Sequence, residues 1–211
     1  AYQVLGEWSK SEQYYDEATV ISQKLTDVLP KASSHLHHGL LHFDKGEYTR
    51  ARESFEEAVK IVERAGARYT QILYSELLIW TFIELGEIGK AIDLLDSLHE
   101  YVLKTEDKGF NADEMVLRAM LLRAQKRYEE SIELFEKTLK EWKSIKANIW
   151  NAYLFARWVL DEYARVFLER DQKGDIEKAD KLLNQALEMF QKMGAKKDIE
   201  KIIAKKKLLT A

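Results

Sequence analysis

Every 40 residues this chain returns to the same short pattern. Leu5-Gly6-Glu7-Trp8, Lys45-Gly46-Glu47-Tyr48, Leu85-Gly86-Glu87-Ile88 and Gln125-Lys126-Arg127-Tyr128 are spaced by 40, and Lys173-Gly174-Asp175-Ile176 follows after 48. Beyond each stand a small, a large and usually a small residue at fixed distances. They are Ser11/Tyr15/Ala18, Ala51/Phe55/Ala58, Ala91/Leu95/Leu98, Ser131/Phe135/Thr138 and Ala179/Leu183/Ala186. Leu98 breaks the small third position, and Lys126 replaces Gly in the fourth copy. A recurrence of this length marks supersecondary units that bury their apolar faces by stacking on one another.

The units are helical. Apolar residues recur with a 3.6-residue period, as in Ala51-Phe55-Ala58-Val59-Val62 and Phe135-Leu139-Trp142. A single Pro and nine Gly leave little room for strands joined by tight turns. Gly in the pattern permits a left-handed residue between two antiparallel helices, and the acidic residue after it suits the positive N-terminus of the next helix. The small residues let the two helices approach, while the large one between them fills the core. The class is all-α.

This spacing, G-[DE]-[YWI]-x-x-[AS]-x-x-x-[FYL]-x-x-[AST], resembles the second half of the tetratricopeptide repeat. Gly39, seven residues before Gly46, matches that family's first-helix glycine. The resemblance covers nearly the whole chain and implies a right-handed superhelical solenoid of antiparallel helix pairs. The family period is about 34 residues, so helices longer by most of a turn are expected here. Long repeats of this kind look like those in the sensor arms of large ATP-dependent transcription regulators and related signalling proteins. The closing segment Met193-Gly194-Ala195-Lys196-Lys197-Asp198-Ile199-Glu200 also resembles the last repeat of such arms, more loosely.

The expected organisation is one solenoid domain. A partial first repeat carries a helix over 8–28. Helices at 31–45, 67–85 and 111–125 pair with 48–65, 88–105 and 128–144. A long helix at 147–172 pairs with 175–193, and a closing helix at 195–209 places Ile199, Ile202, Ile203 and Leu209 inward. Only about five residues precede Gly6, where a first helix of some 15 would lie. The face of helix 8–28 is then left open unless a short native cap covers it. A fragment of a longer protein, the sensor or scaffold arm of a multidomain regulator, is the favoured expectation; the alternative is a free-standing adaptor that self-associates as a homodimer through this open repeat.

Composition narrows the function. Charged residues make up 33% of the chain while the net charge is −3, so no global footprint for nucleic acid or membrane exists. Lysines gather near the C-terminus (Lys192, Lys196, Lys197, Lys201, Lys205, Lys206 and Lys207), but no aromatic residue follows Phe190 to stack a base, and a solvated capping helix accounts for them. Cysteine is absent, which removes disulfides, thiolate metal sites and cysteine nucleophiles. No signal-peptide pattern and no bilayer-length apolar run occur. The abundance of Lys and Glu fits a cytoplasmic protein of a heat-adapted organism.

Catalytic and cofactor motifs are missing as well: neither GxGxxG nor GxxxxGK[ST] occurs, and the carboxylate pairs sit among Lys and Arg as solvated helix faces. No cofactor and no enzyme activity are expected. His35, His38 and His42 share one helical face and could hold a metal, yet in register they occupy first-helix positions that pack against the partner helix of the hairpin. They are taken as packing residues.

A partner is expected to be a protein or peptide. In the family the resemblance points to, the first helix of each pair lines a concave groove. By position, the groove residues are Leu36, Leu40 and Phe43; Leu73, Glu76, Trp80, Ile83 and Glu84; Val116, Met120 and Arg123; and Arg165, Leu168 and Gln172. The Lys and Asn of the family's carboxylate clamp are not at the matching places, so an amphipathic helix, an apolar segment or another domain of the same protein suits the groove better. The lengthened fifth repeat adds Trp150, Asn151, Arg157 and Trp158, residue types that anchor interfaces, whereas Tyr153 and Phe155 are read as filler. A small ligand between Trp80 and Trp150 is a further possibility.

Overall fold

The computed structural model describes residues 2–106, 108–142 and 149–209, with the side chains of 108 and 149–151 outside the description. Its helices are α1 (Trp8–Gln23), α2 (Val28–Lys45), α3 (Tyr48–Arg64), α4 (Arg68–Glu84), α5 (Ile88–Thr105), α6 (Lys108–Ala124) and α7 (Tyr128–Trp142). After these come α8 (Ile149–Leu154), a π-helical stretch (Phe155–Asp161), α9 (Glu162–Arg170), α10 (Asp175–Met193) and α11 (Lys196–Leu209). Among the described residues there is no strand, and no helix is long and apolar enough to cross a membrane.

Two compact units emerge: Tyr2 with Glu7–Phe110, and Gln3–Gly6 with the chain from Asn111 onward. In the first, α2 packs on α3, α3 on α4 and α4 on α5, with α1 against α2. In the second, α10 packs on α9 and on α11.

The recurring turn sets the hairpins. Gly6, Gly46, Gly86 and Gly174 all have φ between 72° and 86°, and Lys126 occupies the same place at 61°. Around Gly46 the chain reverses through Gly46 N to Phe43 O at 3.0 Å and Glu47 N to His42 O at 2.9 Å. Lys126 reproduces this with Lys126 N to Arg123 O at 2.8 Å and Arg127 N to Leu122 O at 2.9 Å. These bonds satisfy carbonyls at the end of the first helix and need a left-handed residue, which costs a side-chain-bearing residue about 1–2 kcal/mol. Of the acidic residues after the glycine, Asp175 accepts from Gln172 N at 3.0 Å, whereas Glu47 and Glu87 make no capping bond to the backbone. Instead Glu47 meets His42 and Glu87 meets Arg52, each at 2.6 Å.

The core positions follow the repeat. Ala51, Phe55, Ala58 and Val62 of α3 are fully buried, as are Ser131, Phe135 and Thr138 of α7 and Ala179, Leu183 and Ala186 of α10. On the α2 side Gly39 lies so close to Phe55 that a methyl group there would stand 2.5 Å from Cε1 of the ring. Next to this crossing Ala32, Ala58, Val62 and Tyr74 form a buried cluster, with Leu36 and Ile61 packed against it.

Three expectations are corrected. The first helix ends at Gln23 rather than 28, because Asp27 caps a new helix by accepting from Leu29 N at 3.0 Å. Helix α2 accordingly starts at Val28, and Pro30 sits in its first turn, where no backbone donor is needed. The lengthened helix of the fifth repeat contains a π-helical stretch, a wider turn that shifts side-chain register; residues 143–148, which span the expected ends of the neighbouring helices, lie outside the described residues. Finally, Ile203 is 39% exposed, while Ile202 is buried and Ile199 and Leu209 are half-buried. The inward face of α11 is rotated towards two polar contacts, Tyr153 to Asp198 at 3.2 Å and Lys205 to Asp161 at 2.6 Å.

Replacing Lys126 by Gly removes the left-handed penalty without touching a core contact. Urea denaturation is expected to show a gain of about 1 kcal/mol. An unchanged or lowered midpoint would mean the turn geometry is not under strain at this residue.

Candidate functional site

The expected partner surface runs over the first helices of the pairs, and the structure sorts its residues by exposure. Leu36, Leu40, Glu84 and Arg157 are half-buried and Leu73 is exposed. Phe43, Glu76, Trp80, Ile83, Val116, Met120, Arg123 and Trp158 are buried. Arg165 and Leu168 are half-buried, and Gln172 is exposed. The side chains of Trp150 and Asn151 lie outside the described residues.

Burial of two of these residues has a packing cause. Phe43 of α2 and Trp80 of α4 pack with tilted rings at 4.6 Å between centroids, and Phe43 also meets Tyr48 edge-on at 5.1 Å. The pair links α2 to α4, with Leu40 one turn before Phe43 and Glu84 one turn after Trp80. Leu36 leans on the buried cluster of Ala32, Ala58, Val62 and Tyr74.

Arg123 is 3% exposed and sits in an ion network of the second unit. Its guanidinium donates to Glu169 at 2.6 Å and lies 3.4 Å from the buried Glu162. Glu169 also accepts from Arg165 at 2.9 Å. A buried carboxylate holds its charge only with a cation beside it, so Arg123 is committed to α9. Sequence spacing gave no sign of this, since the partners come from a distant helix.

On the long helix of the fifth repeat, Arg157 donates to the Tyr153 hydroxyl at 2.9 Å, and that hydroxyl donates to Asp198 of α11. Phe155 meets Trp142 at 5.7 Å. Tyr153 and Phe155 are thus engaged in packing. Asp161 is half-buried, and desolvation raises its pKa above the ordinary carboxylate value despite the nearby Lys205 ammonium.

The histidines do not converge, and no cluster of three or more potential metal-ligating residues occurs among the described residues. His42 Nδ1 lies 2.6 Å from Glu47, a carboxylate delivered by the turn. His38 faces α1 rather than the hairpin partner α3: its Nε2 is 3.3 Å from Thr19 Oγ1 and 3.5 Å from Asp16. Burial lowers its pKa below the ordinary 6.5, with Asp16 opposing that shift. His37 packs on Tyr15 at 5.2 Å. This places it on a groove between α1 and α2 of about 480 Å³, lined by Tyr14, Tyr15, Ala18, Ile21, Ser22 and Leu25 from α1 and the following turn, and by residues of α2. Nothing in the sequence analysis singled out that groove as a pocket, although it had left the face of the first helix open.

These features define a helical-repeat protein whose side-chain chemistry is packing and pairing. Residues 32–61 and residues 118–145 each match a family described as tetratricopeptide repeat. The fold is similar to the crystal structure of kinesin light chain nearly identical TPR-like repeats from Podosopora anserina, with a TM-score of 0.56, 17% identity and 91% of each chain covered. Together these likenesses show a TPR-like repeat fold and support a tetratricopeptide repeat family. No curated protein matches the chain.

Because the folded state holds His38 with a lowered pKa, it binds fewer protons there than the unfolded chain does. The stability this gives is full above pH 6.5 and is lost as pH falls through that value towards the folded pKa. Urea midpoints between about pH 7.5 and 5.5 should therefore fall more steeply for the wild type than for His38→Gln. Parallel curves would remove the burial argument for this residue.

Proposed function

We propose that this chain is a non-catalytic protein-binding scaffold, acting as the sensor or regulatory arm of a multidomain signalling or transcription regulator. Tetratricopeptide repeats generally mediate binding to proteins or peptides, and their fold is typically non-catalytic. The observation that carries the scaffold reading is the Phe43–Trp80 seam. It joins successive first helices through one aromatic contact, and half-buried Leu40 and Glu84 beside it form the proposed contact surface. The partner is an apolar segment or another domain of the parent protein, engaged through that seam.

The regulatory-arm reading draws on the length of the repeat and on the closing segment from Met193 to Glu200. A solenoid whose neighbouring units meet through discrete packed contacts can transmit a bound partner by a small shift between pairs.

The test uses the whole chain as bait, beside a Leu40→Glu/Glu84→Lys double variant that retains its helical circular dichroism. The expected result is one protein carrying nucleotide-binding or DNA-binding domains, retained by wild type and reduced at least tenfold by the variant. Equal retention by both would remove the seam as the site. A retained protein without such domains would leave a scaffold and remove the regulatory arm.

A further inference from the structure

The groove between α1 and α2 is the register image of a site that the chain fills elsewhere. In the second copy Ala58, Ile61 and Val62 of α3 and Tyr74 of α4 surround Ala32 and Leu36 of α2, and Gly39 seats on Phe55. Forty residues earlier the same positions are Ala18, Ile21, Ser22, Ser34 and Tyr15, all lining the groove. There Tyr15 is half-buried, Ala18 is exposed and Ile21 is 60% exposed, whereas Phe55 and Ala58 are fully buried. Leu25 adds exposed apolar area to the groove, and Tyr14 stacks on Tyr2 at 5.4 Å along the rim.

The repeat also shows what fits over an aromatic residue at this position. Phe55 is matched by Gly39 and Phe135 by Ala119, whereas Leu95 and Leu183 are matched in register by Ile79 and Phe167. Small stands over aromatic, large over Leu, as constant volume at a close helix crossing requires. The helices α2 and α6 share a small-x3-apolar-x2-small spacing at Ala32-Leu36-Gly39 and Ala112-Val116-Ala119, and all three α6 residues are buried. Tyr15 is aromatic, so its occupant carries the same spacing.

Charge narrows the occupant further. Over residues 7–27 the acidic side chains Glu7, Glu12, Asp16, Glu17 and Asp27 outnumber Lys10 and Lys24. Asp16 and Glu17 are exposed. Two such faces brought together in a dimer would juxtapose like charges, while a helix with basic flanks complements them.

We propose that the α1–α2 groove docks, in trans, an amphipathic helix with basic flanks whose small-x3-apolar-x2-small stripe seats its last small residue on Tyr15. It lies on α1 as α2 lies on α3. This site is separate from the first-helix seam and stands or fails independently, because Ile21 is on α1 and outside that face.

The probe is a synthetic peptide of residues 108–126, the helix of this chain with the required stripe and a net positive charge. It is titrated by fluorescence anisotropy into the full chain. The expected result is saturable one-to-one binding with a Kd on the order of 10 µM. The affinity should weaken at least tenfold with Ile21→Glu in the protein, a change at an exposed site that leaves the fold intact by circular dichroism. It should weaken as much when the peptide carries Ala119→Phe. No saturation up to about 1 mM, or indifference to either substitution, overturns the proposal. Sedimentation of the chain alone provides the other decisive outcome. A dimer that Ile21→Glu converts to monomer would assign the groove to a second copy and overturn the helix in trans.

Discussion

At the contact between Gly39 and the ring of Phe55 two helices approach so closely that no side chain fits between them, and the rest of the repeat is arranged to permit it. A glycine in the middle of a helix costs about 1 kcal/mol relative to alanine. That cost is offset when the missing side chain lets an aromatic ring bury fully, since burying a Phe contributes about 1.5–3 kcal/mol. The left-handed turn at Gly46 brings α3 back along α2, and Ala51 and Ala58 keep the backbones close on either side of the ring. Without the close crossing, the small residues of the pattern would be cavities.

The same constraint governs where binding can occur. Helix pairs that satisfy each other present only their edges and seams to a partner, which is why half of the first-helix residues on the expected groove are buried. Phe43 and Trp80 are used to hold α2 beside α4, and Arg123 neutralises Glu162. On α1 the crossing residues are present, yet Tyr15 and Ala18 remain accessible. Binding capacity in this architecture thus resides where the stack meets something other than itself.

Much of the fold was legible in the sequence because its determinants are local and repeated. The turn glycines, the small-large-small triplets and Gly39 each lie within one hairpin, and five copies in register separate them from chance. Lys126 could be assigned to the turn from its neighbours alone. What could not be read depends on residues far apart in the chain. The burial of Arg123 follows from Glu162 and Glu169; the rotation of α11 follows from Tyr153 and Asp161; His38 turns to α1 because Thr19 and Asp16 await it there. Such pairings carry no periodic signature. The π-helical stretch is likewise invisible, since its residues satisfy a helical pattern at either pitch.

The central claim, that size complementarity at the helix crossing organises each repeat, is tested by a double-mutant cycle on Gly39→Ala and Phe55→Leu. Helix propensity alone makes Gly39→Ala stabilising by about 1 kcal/mol. The crossing reverses the sign, to a loss of about 1–3 kcal/mol in urea denaturation. In the Phe55→Leu background the same substitution should become neutral or stabilising, a coupling of more than about 1 kcal/mol. Additive effects within about 0.5 kcal/mol would show that glycine and ring act independently, and the account of the repeat would be wrong.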